Sequence, residues 1–130
     1  MRNIISIRDD GSLTCRGDVP VGSQVRLMIA TKESCLAATE EATQEAKQAF
    51  RLRTSPKPES INLIFVFNSV SRLYLLGRQI TKELEIIKSH FPDTPIIGLC
   101  TFGEQAPLKA TDFAGKTYCH NQTIAIMAMG

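Results

Sequence analysis

The heptapeptide INLIFVF, residues 61–67, constrains this chain more than any other stretch. It is apolar but for Asn62, rich in β-branched and aromatic residues, and bounded by polar neighbours. It is too short to be a buried helix. Such a run suits a central strand covered on both faces. A strand of that kind needs neighbours on its two edges and further elements above and below it, so the rest of the chain must supply them.

The flanking segments read accordingly. Glu33 to about Arg51 predicts a helix, with Cys35, Ala38, Ala42, Ala46 and Ala49 recurring at steps of three and four. Thr31 stands where its hydroxyl can cap that helix. After the central strand, Leu73, Leu76, Ile80, Leu84, Ile87 and Phe91 form one apolar stripe, and Pro92 ends the second helix. TPIIGLCTF and TIAIMAM read as later strands, antiparallel to each other, with GEQAPL a turn and KATDFAGK a polar loop between them. NIISI and SLTCRG read as two short strands around the turn DDGS, and QVRLMIA alternates as a half-buried third. The resulting order is β-β-β-α-β-α-β-β. It predicts an α+β fold, a mixed β-sheet with two helices packed on one face, for which chorismate-mutase-like folds are an analogue.

Composition excludes several functions. Net charge is +2 and aromatics are 6%, with no Trp, so neither a phosphate-binding surface nor a base-stacking platform is expected and nucleic acid is not a predicted partner. Basic residues cluster in FRLRTSPKP, but two prolines mark that stretch as a solvated loop. No apolar run is long enough to span a bilayer, and no signal-peptide pattern opens the chain. Cys15, Cys35, Cys100 and Cys119 are far apart, which disfavours a zinc site and a disulfide framework. No metal or cofactor is expected, and the reading is a cytoplasmic, single-domain protein with reduced thiols.

The residues with chemistry to offer lie at strand ends. FNSVSR crosses from the central strand into a helix, where unpaired backbone N–H groups attract an anion. Ser69 and Ser71 offer hydroxyls there, and Arg72 can grip a carboxylate with two parallel hydrogen bonds. The plainer alternative makes Ser71 a cap and points Arg72 to water. Glu104 follows Gly103 at a strand end, as a ligand group or as an ordinary turn residue. His120, Asn121 and Thr123 open the last strand with donors and acceptors. Cys100 and Cys119 are small apolar residues without a nucleophile signature. No GxSxG, P-loop, GxGxxG or HExxH motif is present, and nothing in the spacing supports a Ser69–His120–Glu104 triad.

In order, IFVFNSVSR, LLGRQITKELEIIKSHF, PIIGLCTFGEQAPL and HNQTIAIMAM resemble the C-terminal half of the FIST sensory domain, over roughly residues 18–130. The family pattern places a strand ending in Phe-Ser-Cys-x-x-Arg before Leu-Gly, then Gly-Phe-x-x-Tyr-Gly-Glu, then His-Asn-x-Thr. Arg72, Gly103, Glu104, His120 and Asn121 fall on its motif positions. Two departures stand out: the family's Ser-Cys is Asn68-Ser69 here, and its Gly before the Arg is Ser71. The resemblance implies a bacterial-type sensory module of signal transduction that binds a small ligand, an amino acid among the candidates. It implies an N-terminal FIST half and signalling output domains as partners, with this chain a piece excised from a longer protein.

On that basis Arg72 and the helix N–H groups are expected to hold the carboxylate of a zwitterion, and Glu104 its ammonium. The protein is then a binding module and not an enzyme. Two other classes stay open at this point. One is a small enzyme, of isomerase or imine hydrolase type, with its site between subunits of a homo-oligomer. The other is an interaction module without a small ligand, which an apolar groove lacking convergent polar groups would favour.

Overall fold

A computed structural model of the chain describes residues 1–54, 60–107, 109 and 116–130. Most of FRLRTSPKP's proline loop and of KATDFAGK lies outside the described residues. The ordered elements are β1 (Ile4–Ile7), β2 (Leu13–Cys15), α1 (Lys32–Thr54), β3 (Leu63–Ser69), α2 (Val70–Leu76), α3 (Ile80–His90), β4 (Ile96–Thr101), β5 (Glu104–Ala106), β6 (Tyr118–His120) and β7 (Ile124–Met129). One turn of 3₁₀-helix, Gly77–Gln79, joins α2 to α3.

β3 is central, as its composition requires. The sheet runs β4-β3-β7, with β4 parallel and β7 antiparallel to β3. β4 and β7 therefore run in opposite senses on either side of it. The order is a mixed sheet with its helices on one face, the α+β arrangement the sequence predicts. Two antiparallel pairs, β1-β2 and β5-β6, complete it.

Among the described residues, helices cover only one face of β3. Ile64 and Val66 pack against Ile87 and Phe91 of the α3 region, with Ile96, Ile124, Ile126 and Ala128 from the flanking strands. The register puts Phe65 and Phe67 on the opposite face beside Ile97, Leu99, Ala125 and Met127. There Ile97, Leu99 and Met127 are exposed. The near-continuous apolar run thus marks a strand with apolar residues on both faces, but helices cover just one of them. QVRLMIA forms no strand. Val25, Leu27, Met28 and Ile29 are 70–88% exposed, and no sheet pairing includes them.

Helix α1 begins at the expected cap: Thr31 Oγ1 accepts from Ser34 N at 3.1 Å, and Ser34 Oγ accepts from Thr31 N at 2.9 Å. That reciprocal pair satisfies donors the first turn leaves orphaned. Its inward face is less purely alanine than predicted. Thr39 and Thr43 are fully buried, and each hydroxyl donates to the carbonyl four residues back, Thr39 to Cys35 O and Thr43 to Thr39 O. The second predicted helix is broken at Gly77, whose backbone (φ 54°, ψ −122°) only glycine adopts without strain. The break separates two helical segments, and the expected stripe does not run through both. Leu76, Ile87 and Phe91 are buried, Leu73 and Leu84 are exposed, and Glu83 is carried inside.

Candidate functional site

The C-terminal end of β3 builds the site. Ser69, its last residue, is buried; its N–H donates to Thr123 O at 3.0 Å and its Oγ accepts from Gln122 N at 3.2 Å. These bonds hold the Asn121–Gln122 turn against the strand end. Gln122 takes φ 59°, the one left-handed conformation among the described non-glycine residues. Ser69 makes no side-chain capping bond to α2, and α2 itself is seven residues long. Ser71 Oγ accepts from the side-chain amide of Asn3 at 3.0 Å.

Asn3 also reaches the other side of the site. Its backbone N–H donates to Asn121 Oδ1 at 3.3 Å. Asn121 is buried, and its Nδ2 donates to His120 O at 3.1 Å. Arg2 Nη1 donates to Cys119 O at 2.9 Å, so β1 is laid directly on this pole. Gly103 is beside it too: a Cβ there would lie 3.7 Å from Asn121 Nδ2. That is ordinary contact, and Gly103 is not among the positive-φ glycines. Backbone freedom is therefore not what a glycine supplies at this position.

Glu104 is buried at 3% exposure. Thr101 Oγ1 donates to its Oε1 at 2.6 Å, and Thr123 Oγ1 donates to its Oε2 at 2.7 Å. His120 is its cross-strand partner in the β5-β6 pair. Burial holds the His120 imidazole below its ordinary pKa, with the chain's terminal amine and Arg2 adding to the effect and Glu104 opposing it. Arg72–Glu83 and His90–Glu40 form ion pairs; Glu104 is instead held by the Thr101 and Thr123 hydroxyls.

Arg72 is placed apart from this group. It is buried at 2% exposure, and its Nη2 donates to Cys35 O at 2.9 Å and Thr39 Oγ1 at 2.8 Å and pairs with Glu83 Oε1. Asn68 Nδ2 donates to the second Glu83 oxygen at 2.6 Å. The Arg72–Glu83 pair therefore ties α2 to α1 through the guanidinium and α3 to β3 through the carboxylate. Its neighbour Ser71 looks the other way, towards Asn3. The structure thus gathers Ser69, Ser71, Gly103, Glu104, His120 and Asn121 at one pole and takes Arg72 into the helix layer.

Thr101, Gln122 and Asn3 join the pole without having been singled out in the sequence. Thr101 is three residues before Glu104, a spacing that sequence reading can test. Asn3 carries no such signal, because its partners lie 68 and 118 positions away. Among the described residues no group of three His, Cys, Asp or Glu side chains is placed to hold a metal ion. No helix of the described residues is long and apolar enough to cross a membrane. All four cysteines carry free thiols.

Comparison with known proteins gives one match. The family model described as the FIST C domain matches residues 1–107. The matched span starts earlier than the motifs alone indicate and stops before His120 and Asn121. No curated protein and no solved structure matches the chain.

Proposed function

This chain belongs to the FIST C domain family, a class of sensory signal-transduction modules, and we propose that it binds a small ligand through an amine, amino acids being the first candidates. Binding, not catalysis, is the proposed work. One observation carries the reading: the pole presents acceptors to N–H donors. Ser71 Oγ and Asn121 Oδ1 both accept from Asn3, one from its side chain and one from its backbone. The same pole holds the buried Glu104 carboxylate, bound by two threonine hydroxyls and paired across β5-β6 with His120, the neighbour of Asn121. Among the described residues no cation pairs with Glu104, and a carboxylate shielded from water attracts an ammonium group more strongly than one in bulk solvent.

This reading shifts the weight of recognition from Arg72 to the acceptors. A ligand's ammonium sits at the Ser71–Asn121 mouth, where Asn3 now donates, and Glu104 supplies the field. Charge-assisted hydrogen bonds contribute about 1.5–3 kcal/mol each. Two or three of them, less the cost of association, give micromolar to millimolar affinity.

Isothermal titration against a panel of amino acids, their N-acetyl forms and simple amines tests the proposal. Saturable binding that disappears on N-acetylation, and weakens at least tenfold in Glu104→Gln, is expected. No heat with any free amine at millimolar concentration overturns it.

A further inference from the structure

An open groove runs along the outer edge of β7. Its volume is about 560 Å³, and its walls include Ala46, Ala49 and Phe50 of α1 and the run 125–130, from β7 to Gly130 just past its end. The five strand residues among them, 125–129, point alternately to opposite faces, so a cavity touching all of them must follow the strand's edge. Among the described residues that edge has no sheet partner, since β7 pairs there with β3 alone. The α1 side chains overhanging it include two alanines, which leave space where larger residues would fill it.

The same chain carries an element of matching character. Residues 24–30, QVRLMIA, have the alternation of a strand, yet among the described residues they join no sheet, and Val25 to Ile29 stand in solvent. Val25, Leu27 and Ile29 share one side, at 78%, 77% and 88% exposure. Isolated apolar residues on a surface are ordinary, but a contiguous solvated run of them marks an interaction site. At about 3.3 Å per residue the segment is roughly 23 Å long, and the six-residue groove roughly 20 Å.

We propose that residues 24–30 of a second copy add as a strand to the β7 edge, and that the exchange is reciprocal. Val25, Leu27 and Ile29 then lie under α1 beside Ile126 and Ala128, while Arg26 and Met28 face the open side. Backbone hydrogen bonds to β7 hold the strand, as in other strand additions. A second copy is the fitting occupant because every copy brings one free segment and one free edge. Reciprocal exchange uses both and closes the assembly with two-fold symmetry. Two such contacts, each about 23 Å long and roughly 10 Å deep on both partners, bury on the order of 1,000 Å², which is the lower bound for a specific interface.

Light scattering coupled to size exclusion, under reducing conditions so that exposed Cys100 and Cys119 do not cross-link, tests this between 1 and about 100 µM. A mass twice the 14.3 kDa of one chain is expected at the upper end. Leu27→Pro, which removes a ladder donor from a residue outside the core, is expected to give a monomer that keeps the helical far-UV signal and a cooperative thermal transition. Amides 24–30 are expected to exchange slowly in the dimer. A wild-type monomer at the top concentration, or a dimer that survives Leu27→Pro, overturns the proposal. The readout is independent of any small ligand, so its failure leaves the amine-binding reading standing.

Discussion

Arg72 and Glu83 form an ion pair sealed inside the molecule, with their side chains 3% and 4% exposed. The pair joins the start of α2 to α3, and through Cys35 and Thr39 it also anchors α1. Charges buried this deeply hold only as long as both are present.

Removing one partner is therefore expected to be costly. Arg72→Ala or Glu83→Ala should each lower stability by about 3–5 kcal/mol, because each strands the opposite charge. Urea unfolding followed by circular dichroism measures it. Arg72→Met combined with Glu83→Leu should recover most of that loss, giving a large favourable coupling in a double-mutant cycle. If recognition runs through the acceptor pole, the double variant also keeps its affinity for amines.

Thr123→Val tests the other buried charge. It preserves the shape of the side chain but leaves one Glu104 oxygen without its 2.7 Å donor. A loss of about 1–3 kcal/mol is expected, the cost of an unsatisfied buried acceptor. A midpoint in urea unchanged from wild type would show that water or another group replaces the hydroxyl at no cost.

His120 makes stability depend on pH. Its folded pKa lies below the ordinary 6.5, so the unfolded chain binds more protons in that range. The contribution is complete above about 6.5 and is lost as pH falls from there towards the folded value. Thermal midpoints between pH 7.5 and 5 should fall more steeply for wild type than for His120→Gln. Parallel curves would mean that His120 is not the group responsible.

Two glycines in the motif region should behave differently. Gly77→Ala forces a side chain into φ 54°, ψ −122°, and is expected to cost about 1–3 kcal/mol. Gly103→Ala meets only ordinary contacts, near 3.7 Å, and should stay within about 0.5 kcal/mol. Comparing the two thermal midpoints suffices.

These contrasts show where the sequence is readable. INLIFVF identifies the central strand because burial beside two neighbours demands such a run, and the caps and stripes on either side place the helices. QVRLMIA shows the limit. Its alternation is that of a strand, but periodicity does not say which edge accepts it or whether that edge belongs to the same copy. Glu83 is hidden for a related reason: it stands three after Ile80 and four before Ile87, on the stripe's own face, but a carboxylate there reads as surface until Arg72, eleven positions away, is seen to pair with it. The site divides in the same way. Ser69, Glu104, His120 and Asn121 are polar residues at strand ends and can be found there. Asn3 contributes a contact across 118 positions, and local spacing carries no trace of it.

That long-range clasp has a consequence for the order of folding. The β3–β4 pairing and the helix layer join segments a few tens of residues apart. The Asn3–Asn121 contact closes a loop of 118 positions, which costs more chain entropy, so the pole is expected to assemble after the sheet and to open first on partial unfolding.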